Sequence, residues 1–112
     1  ESLSEKVRAQ GGLAVALLGM GTDMHTASLF PGVAGLEHAL AADAPEVAVM
    51  RPDSQPEARI TLSAHVLDAA MAKHLVIFGA DKREALERAQ SLPPEEAPIQ
   101  AVLSECQVHW AE

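Results

Sequence analysis

A single cysteine, Cys106, stands in the 112 residues, so no disulfide can form within the chain. The fold must therefore come from packing, and one thiol fits a reducing compartment. Basic residues are also scarce. Eight Lys and Arg against sixteen Asp and Glu leave a formal charge of −8. Recognition of nucleic acid at scale needs a basic face, so that class of partner is set aside. Long hydrophobic runs are missing too. The longest, Leu13 to Leu18, has strand length and falls far short of the roughly 18 apolar residues that cross a bilayer. The first residues, Glu1 to Arg8, are charged and polar with no apolar core behind them, which points away from a secretory leader. The expectation is a cytoplasmic protein with neither nucleic acid nor membrane as partner.

What is present is enough to build a core. Apolar residues make up 48% and charged residues 21%, the balance of an ordinary globular chain of at most one domain. Leu3 to Gln10 reads as a short helix stopped by Gly11-Gly12; with one apolar pair it would be unstable alone, so it reads as the tail of something longer. Leu13 to Leu18 has no polar interruption, the pattern of a strand buried on both faces of a parallel sheet, and Gly19-Met20-Gly21 ends it. Val47 to Met50 and Ile60 to Leu62 are shorter strand candidates around a breaker-rich loop, Arg51 to Pro56, while Gly35 to Ala42 is weakly helical. A helix capped by Ser63 or Thr61 is expected from Ala64 to Lys73, then a strand from His74 to Gly79. Asp81 is an N-cap candidate for a helix over Lys82 to Gln90, with Ala85, Leu86 and Ala89 as its buried stripe. One more helical turn at Pro98 to Leu103 and a strand at Val108 to Trp110 complete the pattern.

Strands alternating with helices, the strands apolar throughout and closed by glycine, predict an α/β sandwich with a largely parallel sheet. Ligands in that architecture collect at the carboxyl ends of the strands. Two polar stretches fall there, Thr22 to Ser28 after the first strand and Ala80-Asp81-Lys82 after the fourth. In extended backbone Asp23 and His25 would point the same way into one cleft. The imidazole could then take a proton from water near neutral pH, with the carboxylate fixing its tautomer. The competing reading is an Asx-turn beside a histidine satisfied by backbone. No nearby Cys, His or Glu completes a metal-ligand set, so a metal pair is not expected. Lys82 near a helix start suits an anion, and otherwise is an exposed lysine. Arg59 reads first as a surface residue and second as an anion ligand. His38, His65, His74 and His109 read as structural or exposed, Cys106 as buried or half-buried, and Met20, Met50 and Met71 as core filler.

The loop also carries a recognisable text. Gly19-Met20-Gly21-Thr22-Asp23-Met24-His25-Thr26-Ala27-Ser28-Leu29-Phe30-Pro31 resembles the 6-phosphogluconolactonase signature G-M-G-x-D-G-H-T-A-S-L-F-P, in register throughout. Downstream, Arg59-Ile60-Thr61-Leu62 is similar to the family's R-x-T-L strand, Gly79-Ala80-Asp81-Lys82 to its G-x-x-K turn, and Trp110 to its closing Trp. Glucosamine-6-phosphate deaminases share only the opening of the loop and continue differently.

The resemblance implies a three-layer α/β/α sandwich with a Rossmann-like sheet, of which this chain would be the C-terminal half. The N-terminal half, with its Gly-rich phosphate loop, would be the missing partner. It further implies hydrolysis of 6-phospho-D-glucono-1,5-lactone in the pentose phosphate pathway, without a cofactor. His25 would be the base, Asp23 its support, Lys82 and Arg59 the phosphate ligands, and Thr26, Gly19 and Gly21 the pocket lining. The alternatives are a non-catalytic sugar-phosphate binder and an isomerase or deaminase of the sister branch. One departure is local: Met24 stands where the family has glycine. It would be strained if that position needs a positive φ, or would narrow the pocket if the glycine only makes room.

Overall fold

The computed structural model describes residues 13–51 and 58–112, together with Glu5, Ala9 and Gly11. The helix expected over Leu3 to Gln10 and most of the loop from Arg51 to Pro56 therefore lie outside the described residues. The elements are β1 (Val15–Leu18), α1 (Leu36–Leu40), β2 (Val47–Met50), β3 (Arg59–Leu62), α2 (Ala64–Asp68), β4 (Ala72–Phe78), α3 (Ala80–Ala89), a 3-10 turn (Pro98–Val102) and β5 (Cys106–Ala111).

The main sheet is parallel, in the order β1-β4-β5. Its register runs from Val15 opposite Ala72 to Leu18 opposite Leu75, and from Lys73 opposite Cys106 to Phe78 opposite Ala111. β2 and β3 do not join it. They pair antiparallel with each other as a separate ribbon, Val47 opposite Leu62 and Met50 opposite Arg59.

β1 is buried on one face only. Ala16 and Leu18 are inside, whereas Val15 and Leu17 are 59% and 74% exposed. Strand order explains the departure from the two-face expectation. The chain advances in one direction across the sheet, and right-handed crossovers then place every connection on the same side. The helices, the ribbon and the 3-10 turn thus share one core with Ala16, Leu18, Leu75 and Ile77, closed by Met50, Ile99 and Val102. The opposite face, with Val15, Leu17 and Phe78 exposed, receives no layer from the described residues.

Several boundaries shift from expectation. The helix that begins at Ala64 ends at Asp68, not Lys73, because the following residues are taken into β4 against β1. Lys73 is buried in that strand and pairs with Asp68 at 2.5 Å. Met71, in the turn between them, is 89% exposed rather than core. Ser63 is the N-cap residue of α2, but its hydroxyl donates to the Pro45 carbonyl and not to the helix. The N-cap of α3 is Gly79 rather than Asp81, at φ 91 and ψ 156. Only glycine adopts that backbone freely, and a Cβ there would lie 2.9 Å from Asp81 Oδ1. Lys82 is consequently the third helical residue rather than the first or second. No described helix is long and apolar enough to cross a membrane.

Candidate active site

β1 and β4 are neighbours and parallel, so the loops after them open at the same edge of the sheet. The β1 loop folds back on itself. Gly21 N donates to the His25 carbonyl at 3.0 Å, and Met24 N to the Gly21 carbonyl at 2.9 Å. Asp23 and His25 are thus on a tight turn, not on extended backbone, and the turn brings their side chains together. Asp23 Oδ1 accepts from His25 Nδ1 at 2.5 Å and from its backbone N at 3.1 Å.

The electrostatics fix the tautomer. Partial burial pushes the Asp23 carboxyl up, but the two hydrogen bonds from His25 and its charge outweigh that, leaving the group below its usual 3.8. An ionised carboxylate only accepts, so Nδ1 carries a hydrogen, and in the neutral imidazole the lone pair is then on Nε2. No hydrogen bond among the described residues occupies Nε2. The imidazole remains 32% exposed, open to water.

The rest of the loop is anchored hard. Thr26 is fully buried, and its hydroxyl donates to the Gly19 carbonyl at 2.8 Å, tying the loop to the end of β1. Leu29 N bonds to the Thr26 carbonyl at 2.9 Å, with Leu29 itself inaccessible to solvent. Ser28 N donates to Thr61 Oγ1 at 3.3 Å, which reaches β3, and Ile99 N donates to the Met24 carbonyl at 3.1 Å. Gly21 has no room for a side chain: a Cβ would collide with the His25 ring. Met24 has φ 73, so the backbone here is the one that favours glycine, and its side chain packs into the core rather than into the cleft.

Phe30 stacks on His25, ring centroids 4.6 Å apart and planes 29° off parallel. Arg59 reaches the same region through that ring, with its guanidinium carbon 5.9 Å from the Phe30 centroid. Phe30 is half-buried and was not among the site residues expected; the one sequence signal for it is an aromatic directly before Pro31-Gly32. Lys82 lies on α3 at the same sheet edge, but among the described residues no hydrogen bond or ion pair links it to Asp23 or His25. The structure thus joins Asp23, His25, Thr26, Gly19 and Gly21 directly and Arg59 through Phe30, and leaves Lys82 nearby and apart.

Elsewhere, His74 and His109 were not expected to meet, yet Nδ1 of one lies 3.0 Å from Nε2 of the other across β4 and β5. His65 Nε2 meets the Ala44 carbonyl at 2.7 Å. Among the described residues no group of three or more His, Cys, Asp or Glu is gathered to hold a metal. An open cavity of about 630 Å³ lies beside Gly79, Arg83, Glu84, Trp110 and Glu112 and does not include His25. Its rim is mainly acidic, a poor setting for an anion.

Residues 1–110 match the family model for glucosamine-6-phosphate isomerases/6-phosphogluconolactonase. The chain belongs to this family. Within it, the 6-phosphogluconolactonase of Rhizobium meliloti is 42% identical over 105 residues, covering 88% of this chain and 45% of that protein. The Pseudomonas aeruginosa 6-phosphogluconolactonase is 38% identical over 99 residues, covering 86% and 42%. The crystal structure of a 6-phosphogluconolactonase from Shewanella baltica superimposes with a TM-score of 0.89 at 31% identity, over 99% of this chain and 50% of that one. The mostly parallel sheet with its helices is therefore the family's fold. The chain spans about half the length of the relatives it matches.

Proposed function

We propose that this chain is the C-terminal half of a 6-phosphogluconolactonase domain and carries its catalytic base. The observation that bears the reading is the Asp23–His25 pair, which engages Nδ1 and leaves Nε2 without a hydrogen bond among the described residues, on a ring 32% exposed. In the proposed reaction Nε2 takes a proton from water as the water oxygen bonds to the lactone carbonyl carbon. The tetrahedral intermediate then expels the ring oxygen, which recovers that proton from the imidazolium, giving 6-phosphogluconate. Asp23 stabilises the imidazolium through the same hydrogen bond. A lactone is an activated ester, so a positioned base and a few donors suffice, with no cofactor.

Arg59 and Lys82 supply cations toward the substrate phosphate, inside a chain of net charge −8. Gly19 and Gly21 keep the loop backbone close to the sugar, and Thr26 holds that loop to β1. The other half of the domain is the partner for the open face around Val15, Leu17 and Phe78, an apolar surface that water would otherwise cover. Such a protein works in the cytoplasm or an equivalent soluble compartment.

Lactone hydrolysis by the full-length protein and its His25→Ala variant tests the reading. Loss of the base is expected to lower kcat by about 10²- to 10⁴-fold. Unchanged turnover in the variant would overturn the role of His25. Ammonia release from an amino-sugar phosphate would favour the sister branch instead.

A further inference from the structure

We propose that Phe30 is a positioning residue for the His25 base, holding the plane of the imidazole while Asp23 holds its Nδ1 edge. The inference rests on the lactonase reading for its consequence in turnover, though not for the contact itself.

One hydrogen bond leaves a histidine ring free to swing about it. Asp23 fixes only the Nδ1 edge, at 2.5 Å, and both side chains are partly exposed. On one side the ring meets Gly21, which has no side chain to press against it. Among the described residues, the ring that packs on its face is Phe30, stacked 4.6 Å away at 29°. That ring is itself held. Its backbone follows Leu29, which is inaccessible to solvent and bonded to Thr26, and precedes the Pro31-Gly32 turn, where Gly32 has φ 71. Arg59 lies over the same ring at 5.9 Å. Phe30 is only half-buried and lies outside the main core, so its ring is spent on the site and not on packing the interior.

An aromatic face suits both charge states of the base. It packs on the neutral imidazole and attracts the imidazolium that forms when water is deprotonated. A leucine in its place would fill space but offer no flat face and no quadrupole.

The test is a set of variants of the full-length protein, followed by steady-state kinetics and by NMR of the His25 ring. Phe30→Leu is expected to lower kcat by about ten- to a hundredfold with KM changed less than about threefold, the signature of a misaimed base rather than lost substrate binding. Phe30→Tyr keeps the ring face and is expected to stay within about threefold of wild type in kcat, on the same orientation argument. In Phe30→Leu the His25 ring protons lose the upfield ring-current shift, and the Nδ1–H tautomer becomes less populated. If leucine unfolds the protein, Phe30→Met carries the same expectations. Wild-type kcat and an unchanged His25 tautomer in a folded Leu or Met variant would overturn the proposal. A wild type without lactonase activity would overturn the functional reading alone, because the NMR comparison still decides whether Phe30 orients the ring.

Discussion

A β-carbon placed on Gly21 would stand 2.5 Å from Nδ1 of His25 and 2.9 Å from Oδ1 of Asp23. Real carbon atoms do not approach that closely, so alanine at Gly21 must push the pair aside or open the turn closed by the Gly21–His25 hydrogen bond. The expected outcome for Gly21→Ala is a kcat lower by about 10²-fold, since a displacement of about 1 Å can cost that much. Thermal melting should move far less, because the turn is at the surface. Wild-type kinetics in this variant would show that the loop is softer than its hydrogen bonds imply.

Met24 sets two effects against each other. Its φ of 73 costs a non-glycine residue about 1–2 kcal/mol, and glycine would recover that. Its side chain, however, is only 6% exposed and belongs to the core, where removing a buried methionine costs about 2–5 kcal/mol. Packing wins. Met24→Gly is therefore expected to lower stability by about 1–3 kcal/mol net, read from chemical denaturation. A gain in stability would mean that strain outweighs packing at this position.

How far the chain could be read from sequence differs between these residues. The loop from Gly19 to Pro31 was legible in part: Asp23 and His25, two residues apart, do meet, but on a turn and not on the extended backbone expected. The end of α2 was not. Ala69-Ala70-Met71-Ala72-Lys73 has strong helix propensity, and only pairing with β1, far away in sequence, takes Ala72 and Lys73 into a strand. β2 and β3 were legible as strands but their pairing as a separate ribbon was not, since an apolar run of four does not state which strand it will pair with. The exposed face of β1 reflects strand order, which no single strand encodes. Phe30 was hidden because an aromatic in a turn looks the same whether it packs on a core or on a base.

The Asp23 carboxyl should titrate below 3.8, because the hydrogen bonds and charge of His25 outweigh the opposing effect of burial. A depressed folded-state value means that the stabilising contribution is present above the unfolded value and is lost as pH falls through the folded one. The Asp23–His25 contact is therefore expected to persist at pH 4 and above and to dissolve only in stronger acid. The carboxyl carbon shift of Asp23, followed by NMR across the acid range, checks this. A midpoint above 3.8 would mean that burial dominates and that the pair is weaker than its 2.5 Å separation suggests.

Lys73 and Asp68 form an ion pair of unequal partners. The lysine is 5% exposed and the aspartate 42%, with Nζ and Oδ1 2.5 Å apart. Removing the aspartate strands an ammonium in the core, whereas removing the lysine leaves a carboxylate that can turn to water. Breaking a buried pair from one side typically costs about 3–5 kcal/mol, and the exposure of Asp68 places this one at the lower end. Asp68→Asn is thus expected to destabilise by about 3 kcal/mol on that scale. Lys73→Met, which keeps an apolar stem in the space the lysine fills, should be within about 1 kcal/mol of wild type, because the Asp68 it leaves behind is 42% exposed and stays hydrated. Urea denaturation of the two variants side by side decides it: equal losses would mean that the lysine finds water or another partner when Asp68 is gone.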